Sequence, residues 1–185
     1  MMGLPFTAKP GDIPWINVGC KFSGAPTVQQ SIAGDGNCYY RAISWIITGT
    51  QTHHIKVRKS ICTYISSQEN FEKMRVHILP FHRVKTSNTR QSGIPRGLLY
   101  TTPGKQYVQA KKMDVVGTYA TQVEIWATAF MLGKDVFTWT GTQNMSPRWV
   151  KHFASGDCKK PTTRAIYLIN LNEHFCVSLG PSTTD

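Results

Sequence analysis

Apolar residues recur with a helical period early in the chain and with strand-like density over its last third. Cys38, Ala42, Trp45 and Ile46 fall at i, i+4, i+7 and i+8, so a helix is expected to open at Cys38 and close at Gly49. Val57, Ile61, Tyr64 and Ile65 form the inner stripe of a second helix, with Thr52 as its expected N-cap. Phe71, Met74 and Ile78 predict a third, stopped before Pro80. Thr121-Gln122-Val123-Glu124 is a capping box, in which hydroxyl and carboxylate satisfy amides of the first turn. Val123, Trp126, Ala127 and Phe130 continue that helix, and Gly133 ends it. Val136–Trp139 then reads as a strand, and Trp149–Phe153 as another short one. Arg164–Leu171 is nearly all apolar, as a central strand should be. Asn172-Glu173 is a short turn, and His174–Leu179 returns as the hairpin partner.

Helices first and strands later argue for an α+β fold. At 185 residues the chain reads as a single domain, 1–185. Residues 1–30 carry four prolines and four glycines and read as an irregular lead-in, anchored by Trp15, Ile16, Val18 and Phe22. Residues 83–106 are rich in Ser, Thr, Gly and Pro and predict a long surface loop.

Composition narrows the class. Hydrophobic residues make up 41% and aromatics 11%, which excludes disorder for the bulk. Lys plus Arg is 21 against 10 for Asp plus Glu, a net charge of +11. No acid occurs between Lys73 and Lys112, so an anionic partner is conceivable for the basic 73–112 stretch. No apolar run approaches the roughly 18 residues of a membrane span, so no transmembrane segment is expected. The first residues show no secretory signal. Five scattered cysteines do not make a disulfide framework, which favours a reducing, cytoplasmic location.

One segment concentrates chemistry. Gly34-Asp35-Gly36-Asn37-Cys38 runs directly into the first helix. A sulfur at a helix N-terminus meets unpaired amides and the positive end of the dipole, which favour the attacking thiolate. The glycines let the backbone bend tightly, so the Asp35, Gly36 and Cys38 amides could converge on a developing oxyanion. A lone helical cysteine is more often buried and inert; the glycine-rich approach shifts the balance.

A thiolate needs a base. Of six histidines, His53-His54 has no cysteine or carboxylate at ligand spacing, so no metal or other cofactor is expected. His77, His82 and His152 lie in short or weakly ordered segments. His174 opens a strand after the most apolar one, and alternation puts it on the face of Cys176 and Ser178, with Phe175, Val177 and Leu179 toward the core.

Three segments together resemble the ovarian tumour (OTU) cysteine proteases, which are deubiquitinases. GDGNCYYRAIS at 34–44 is similar to the family's nucleophile motif, with Tyr39-Tyr40 where Leu-Phe is usual. GTYATQVEIWATA at 117–129 resembles the middle motif, with Tyr119 in place of Trp. IYLINLNEHFCVSL at 166–179 resembles the terminal strand pair. The resemblance covers roughly residues 15–180 and implies a papain-like OTU fold: a small, mostly antiparallel central sheet packed between helices.

The resemblance further implies Cys38 as nucleophile and His174 as base. Asp35 matches a motif aspartate commonly counted with the active site, contributing through its backbone amide. Many members place Asp or Asn two residues after the histidine to fix its tautomer; here that slot is Cys176. Asn172 is one substitute, Asp12 or Asn17 from the lead-in another, and a missing orienter with reduced activity a third. The implied partner is ubiquitin, polyubiquitin or a ubiquitin-like modifier, bound by a monomer; in an effector the site of action would be the host cytosol. The charge of +11 fits poorly with gripping ubiquitin's basic tail, which calls for carboxylates. Two rivals therefore stand beside the isopeptidase. One is a weak or silent module that binds ubiquitin, the other a basic nucleic-acid-binding domain. Trp126, Tyr119 or the 83–106 loop is expected to border the substrate channel.

Overall fold

The computed structural model describes residues 16–17, 25–81, 103–142, 145–152 and 164–181. The helices are α1 (Cys38–Thr48), α2 (His54–Ser66), α3 (Gln68–Phe81), α4 (Gly104–Lys111) and α5 (Gln122–Leu132). The strands are β1 (Ile16–Asn17), β2 (Pro26–Gln30), β3 (Asp135–Thr142), β4 (Met145–His152), β5 (Arg164–Leu171) and β6 (His174–Pro181). They form one mixed sheet in the order β2-β6-β5-β3-β4, with β1 beside the start of β5. Only β3 and β5 run parallel; every other pairing is antiparallel. The architecture is α+β, as the element order predicts.

Alternation splits the sheet into two faces. Val136, Ile166, Leu168, Phe175 and Val177 join the helical core. The opposite face carries an aromatic layer, where Phe137 stacks on Tyr167 at 4.9 Å and Trp149 meets Trp139 edge-on at 5.4 Å. Among the described residues the helical core lies on one face of the sheet. Ile43, Ile61, Ile65 and Phe71 are fully buried in that core. Truncating any one of these side chains to Ala should cost about 2–5 kcal/mol.

Several boundaries move for local reasons. The irregular lead-in contributes two strands, because β2 finds an edge on β6 and β1 one on β5. The N-cap of α2 is His53, with no side-chain cap bond; the Thr52 hydroxyl instead pairs with that of Thr50 at 3.1 Å. Helix α3 continues through Pro80 to Phe81, past the stop expected before the proline. The expected loop ends before residue 106: α4 starts at Gly104, where an added Cβ would lie 1.8 Å from the Ile65 carbonyl oxygen. Residues 83–102 and 153 lie outside the described residues.

The predicted caps hold where their chemistry is local. Thr121 Oγ1 accepts from the Val123 amide at 3.1 Å, and Glu124 accepts from the Thr121 amide at 2.7 Å. Glu124 is fully buried; burial raises its pKa, while the bonds from Thr121 and Tyr107 work in the opposite direction. Gly49 and Gly133 close α1 and α5 in the left-handed conformation. No described helix is long and apolar enough to cross a membrane.

Candidate active site

The sulfur of Cys38 sits at the first position of α1, against the β5–β6 hairpin. The Phe175 amide donates to Sγ at 3.5 Å, and Sγ lies 3.9 Å from the Glu173 carbonyl oxygen. Those two residues flank His174, so the hairpin backbone clasps the sulfur on both sides of the histidine. The hairpin turns through Asn172 and Glu173, both with positive φ (52° and 62°). Two consecutive left-handed residues are what a tight hairpin turn requires; Glu173, with no glycine's freedom, is strained there.

The His174 ring leans over the nucleophile loop: a Cβ on Gly34 would lie 3.5 Å from its Nδ1 and Cε1. Among the described residues the ring makes no hydrogen bond, either to Cys38 or to an orienting group. Asn172 is exposed and its side chain bonds to nothing among them. Cys176 is buried, and burial pushes its thiol above the ordinary range. Asp12 and the Asn17 side chain lie outside the described residues.

The side chains of Asp35 and Asn37 and the carbonyls of residues 35–37 are tied down in the loop before Cys38. The Asp35 carboxylate pairs with Arg41 at 2.6 Å and accepts from the Asn37 amide at 3.0 Å. The Arg41 guanidinium, more than anything else, holds that carboxyl well below the usual range. Asn37 occupies the N-cap position of α1 without capping it. Its Oδ1 accepts from Arg58 at 2.8 Å and from the Gly117 amide at 2.9 Å, and its Nδ2 donates to the Asp35 carbonyl at 3.3 Å. The helix's first amides are thereby left open. Among the described residues the amides of Asp35, Gly36 and Cys38 have no protein acceptor, as an oxyanion site requires. Gly36 has φ 73°, and a Cβ there would fall 2.2 Å from the Gly117 carbonyl oxygen.

Two participants escaped the sequence reading. Arg58 is 2% exposed and reaches both the Cys38 loop and the 113–118 loop. Its only sequence signal is position: it precedes Cys62 by four and Ile65 by seven, which puts it on the inner face of α2. Gly117 provides the other half of the Asn37 cradle, a role no local pattern announces. Trp126, expected near a channel, is instead 1% exposed and packs edge-on to His152. Burial pushes His152 down to about 3, so it is neutral and structural. The Tyr39 hydroxyl bonds Thr128 at 2.6 Å, so the tyrosine in place of leucine is satisfied inside the core. Among the described residues no cluster of His, Cys, Asp and Glu could hold a metal ion.

A family profile described as OTU-like cysteine protease matches residues 33–175, most of the chain. The chain belongs to the OTU-like cysteine protease family. The Arabidopsis thaliana ovarian tumor domain-containing deubiquitinating enzyme 7 is 28% identical over 147 residues, 78% of this chain and 30% of that protein. The chain thus spans under a third of that relative's length. The viral OTU domain protease of Dera Ghazi Khan virus superposes with a TM-score of 0.54 at 14% identity, covering 81% of this chain and 78% of that one. The corresponding protease of Farallon virus gives 0.54 at 15% identity, over 81% and 82%. At such identities the structural likeness speaks for the fold alone.

Proposed function

We propose that the chain is a thiol isopeptidase that removes ubiquitin, or a ubiquitin-like modifier, from lysine. The observation that carries the reading is the clasp of Cys38 Sγ by the backbone on both sides of His174, beside a loop with open amides. His174 takes the proton of the Cys38 thiol, and the thiolate attacks the carbonyl of the modifier's C-terminal glycine. The Asp35, Gly36 and Cys38 amides hold the oxyanion. His174 gives a proton to the leaving lysine amine, then activates the water that releases the acyl group. Cys38 is only 2% exposed, so a tail of two glycines suits its approach. The name of the Arabidopsis relative, a deubiquitinating enzyme, points to the same chemistry. The exposed Val115, Val116 and Tyr119, on the loop next to Gly36, offer the modifier an apolar face. Asn172 is our candidate for orienting His174, and a reducing cytosol the expected setting. An electrophilic ubiquitin probe tests the reading: it should label wild type and not Cys38→Ala, and no adduct on wild type would refute it.

A binding-only module is the second reading. It is favoured by a His174 ring that has no hydrogen bond among the described residues and by Cys176 in the orienting slot. It predicts ubiquitin binding without turnover, unchanged in Cys38→Ala.

A further inference from the structure

We propose that Arg58 is the positioning residue of the oxyanion loop, fixing through Asn37 the peptide plane that aims the Gly36 amide. The inference rests on the acyl-transfer reading above and names a part it does not contain.

In a trans peptide the carbonyl of one residue and the N–H of the next point in opposite directions, so anchoring the carbonyl aims the amide. Three consecutive carbonyls are anchored here. The Asp35 oxygen accepts from Asn37 Nδ2 at 3.3 Å, the Gly36 oxygen from Arg58 Nη2 at 3.3 Å, and the Asn37 oxygen from the Arg41 amide at 2.9 Å. Arg58 controls two of the three. It holds the Gly36 oxygen directly, and so keeps the Asn37 backbone amide turned to the Asp35 carboxylate. By donating to Asn37 Oδ1 at 2.8 Å it also turns the Asn37 amide so that Nδ2 faces Asp35.

The same guanidinium donates to the Met113 oxygen at 2.7 Å and the Thr118 oxygen at 2.8 Å. It thus pins the nucleophile loop to the segment that carries Gly117. Its plane lies over the Tyr40 ring, 3.9 Å from the centroid. Among the described residues no carboxylate bonds to it. Burying a cation among neutral oxygens is costly, and an apolar residue would fill the space more cheaply. What an apolar residue cannot do is donate to four oxygens in a fixed fork.

The test compares two reactions of Cys38 in the full chain. Alkylation by iodoacetamide builds no oxyanion. Hemithioacetal formation with a peptide ending in glycinal builds one, without needing a whole modifier. A ubiquitin C-terminal fluorogenic amide reports the full reaction. In Arg58→Gln, adduct formation and kcat should fall about 100-fold, with alkylation and KM changed less than about twofold. Arg58→Lys keeps the charge and fewer donors, and should lose about 10-fold; it carries the test if Arg58→Gln does not fold. Hydrogen exchange should quicken at 34–38 and 113–118 while α5 stays protected. Equal losses in both reactions would reduce Arg58 to a folding support and overturn the proposal, as would full adduct formation in either folded variant. A wild type that forms the adduct but ignores ubiquitin refutes the deubiquitinase reading and leaves the Arg58 comparison readable. A wild type that is alkylated but forms no adduct overturns both.

Discussion

The two halves of the site are built by opposite means. The nucleophile half is a net: within Asp35–Cys38, side chains and backbone are tied to Arg41, Arg58 and Gly117, and only the amides that would receive an oxyanion are left open. The base half is a frame. The hairpin backbone holds the position of His174, yet the imidazole has no hydrogen bond among the described residues. Charge that develops at the oxyanion needs donors fixed in advance, because reorienting them during reaction would cost the stabilisation they supply. A general base must both take and return a proton, and a ring fixed less tightly can serve both steps.

The largest test of this contrast is His174→Ala. Hydrolysis of a ubiquitin amide should fall by about 10²–10⁴, while iodoacetamide still alkylates Cys38. Gly36→Ala attacks the other half. The positive φ and the collision with the Gly117 carbonyl should lower hydrolysis at least roughly 100-fold. Thermal unfolding should report a loss of about 2–4 kcal/mol. Asn172→Ala probes what orients the ring: a drop in kcat of about tenfold or more assigns it that role, and an unchanged kcat places the orienter elsewhere.

Smaller effects separate the rims. Glu173→Gly should stabilise the chain by about 0.5–1 kcal/mol in denaturant titrations, because glycine suits the second left-handed turn position. The Asp35–Arg41 pair is partly exposed, so Asp35→Asn should cost no more than about 1 kcal/mol. Its depressed carboxyl stabilises the fold above the ordinary carboxylate pKa, and that contribution is lost as pH falls through the lower folded value. His152 titrates the core independently. Its folded pKa, about 3, lies below the unfolded value of 6.5, so stability is complete above 6.5 and falls as pH drops toward 3. Unfolding stability plotted against pH across that window should flatten in His152→Phe, whereas Gly36→Ala, which removes no titrating group, should leave the slope unchanged.

Residues close in the chain settle one part of this protein among themselves. The start and end of α1, the capping box of α5 and the β5–β6 hairpin all follow from residues within a few positions of one another. The Gly-Asp-Gly-Asn-Cys run likewise announces a tight turn into a helix, and with it a nucleophile. Tertiary structure decided everything that depends on which neutral oxygen a buried donor finds. That Asn37 declines to cap its own helix, that Gly117 rather than a charged residue completes its cradle, and that Arg58 turns inward cannot be read locally. Each choice is settled by desolvation: once the loops close, a buried polar group takes the partner within reach, however distant in the chain.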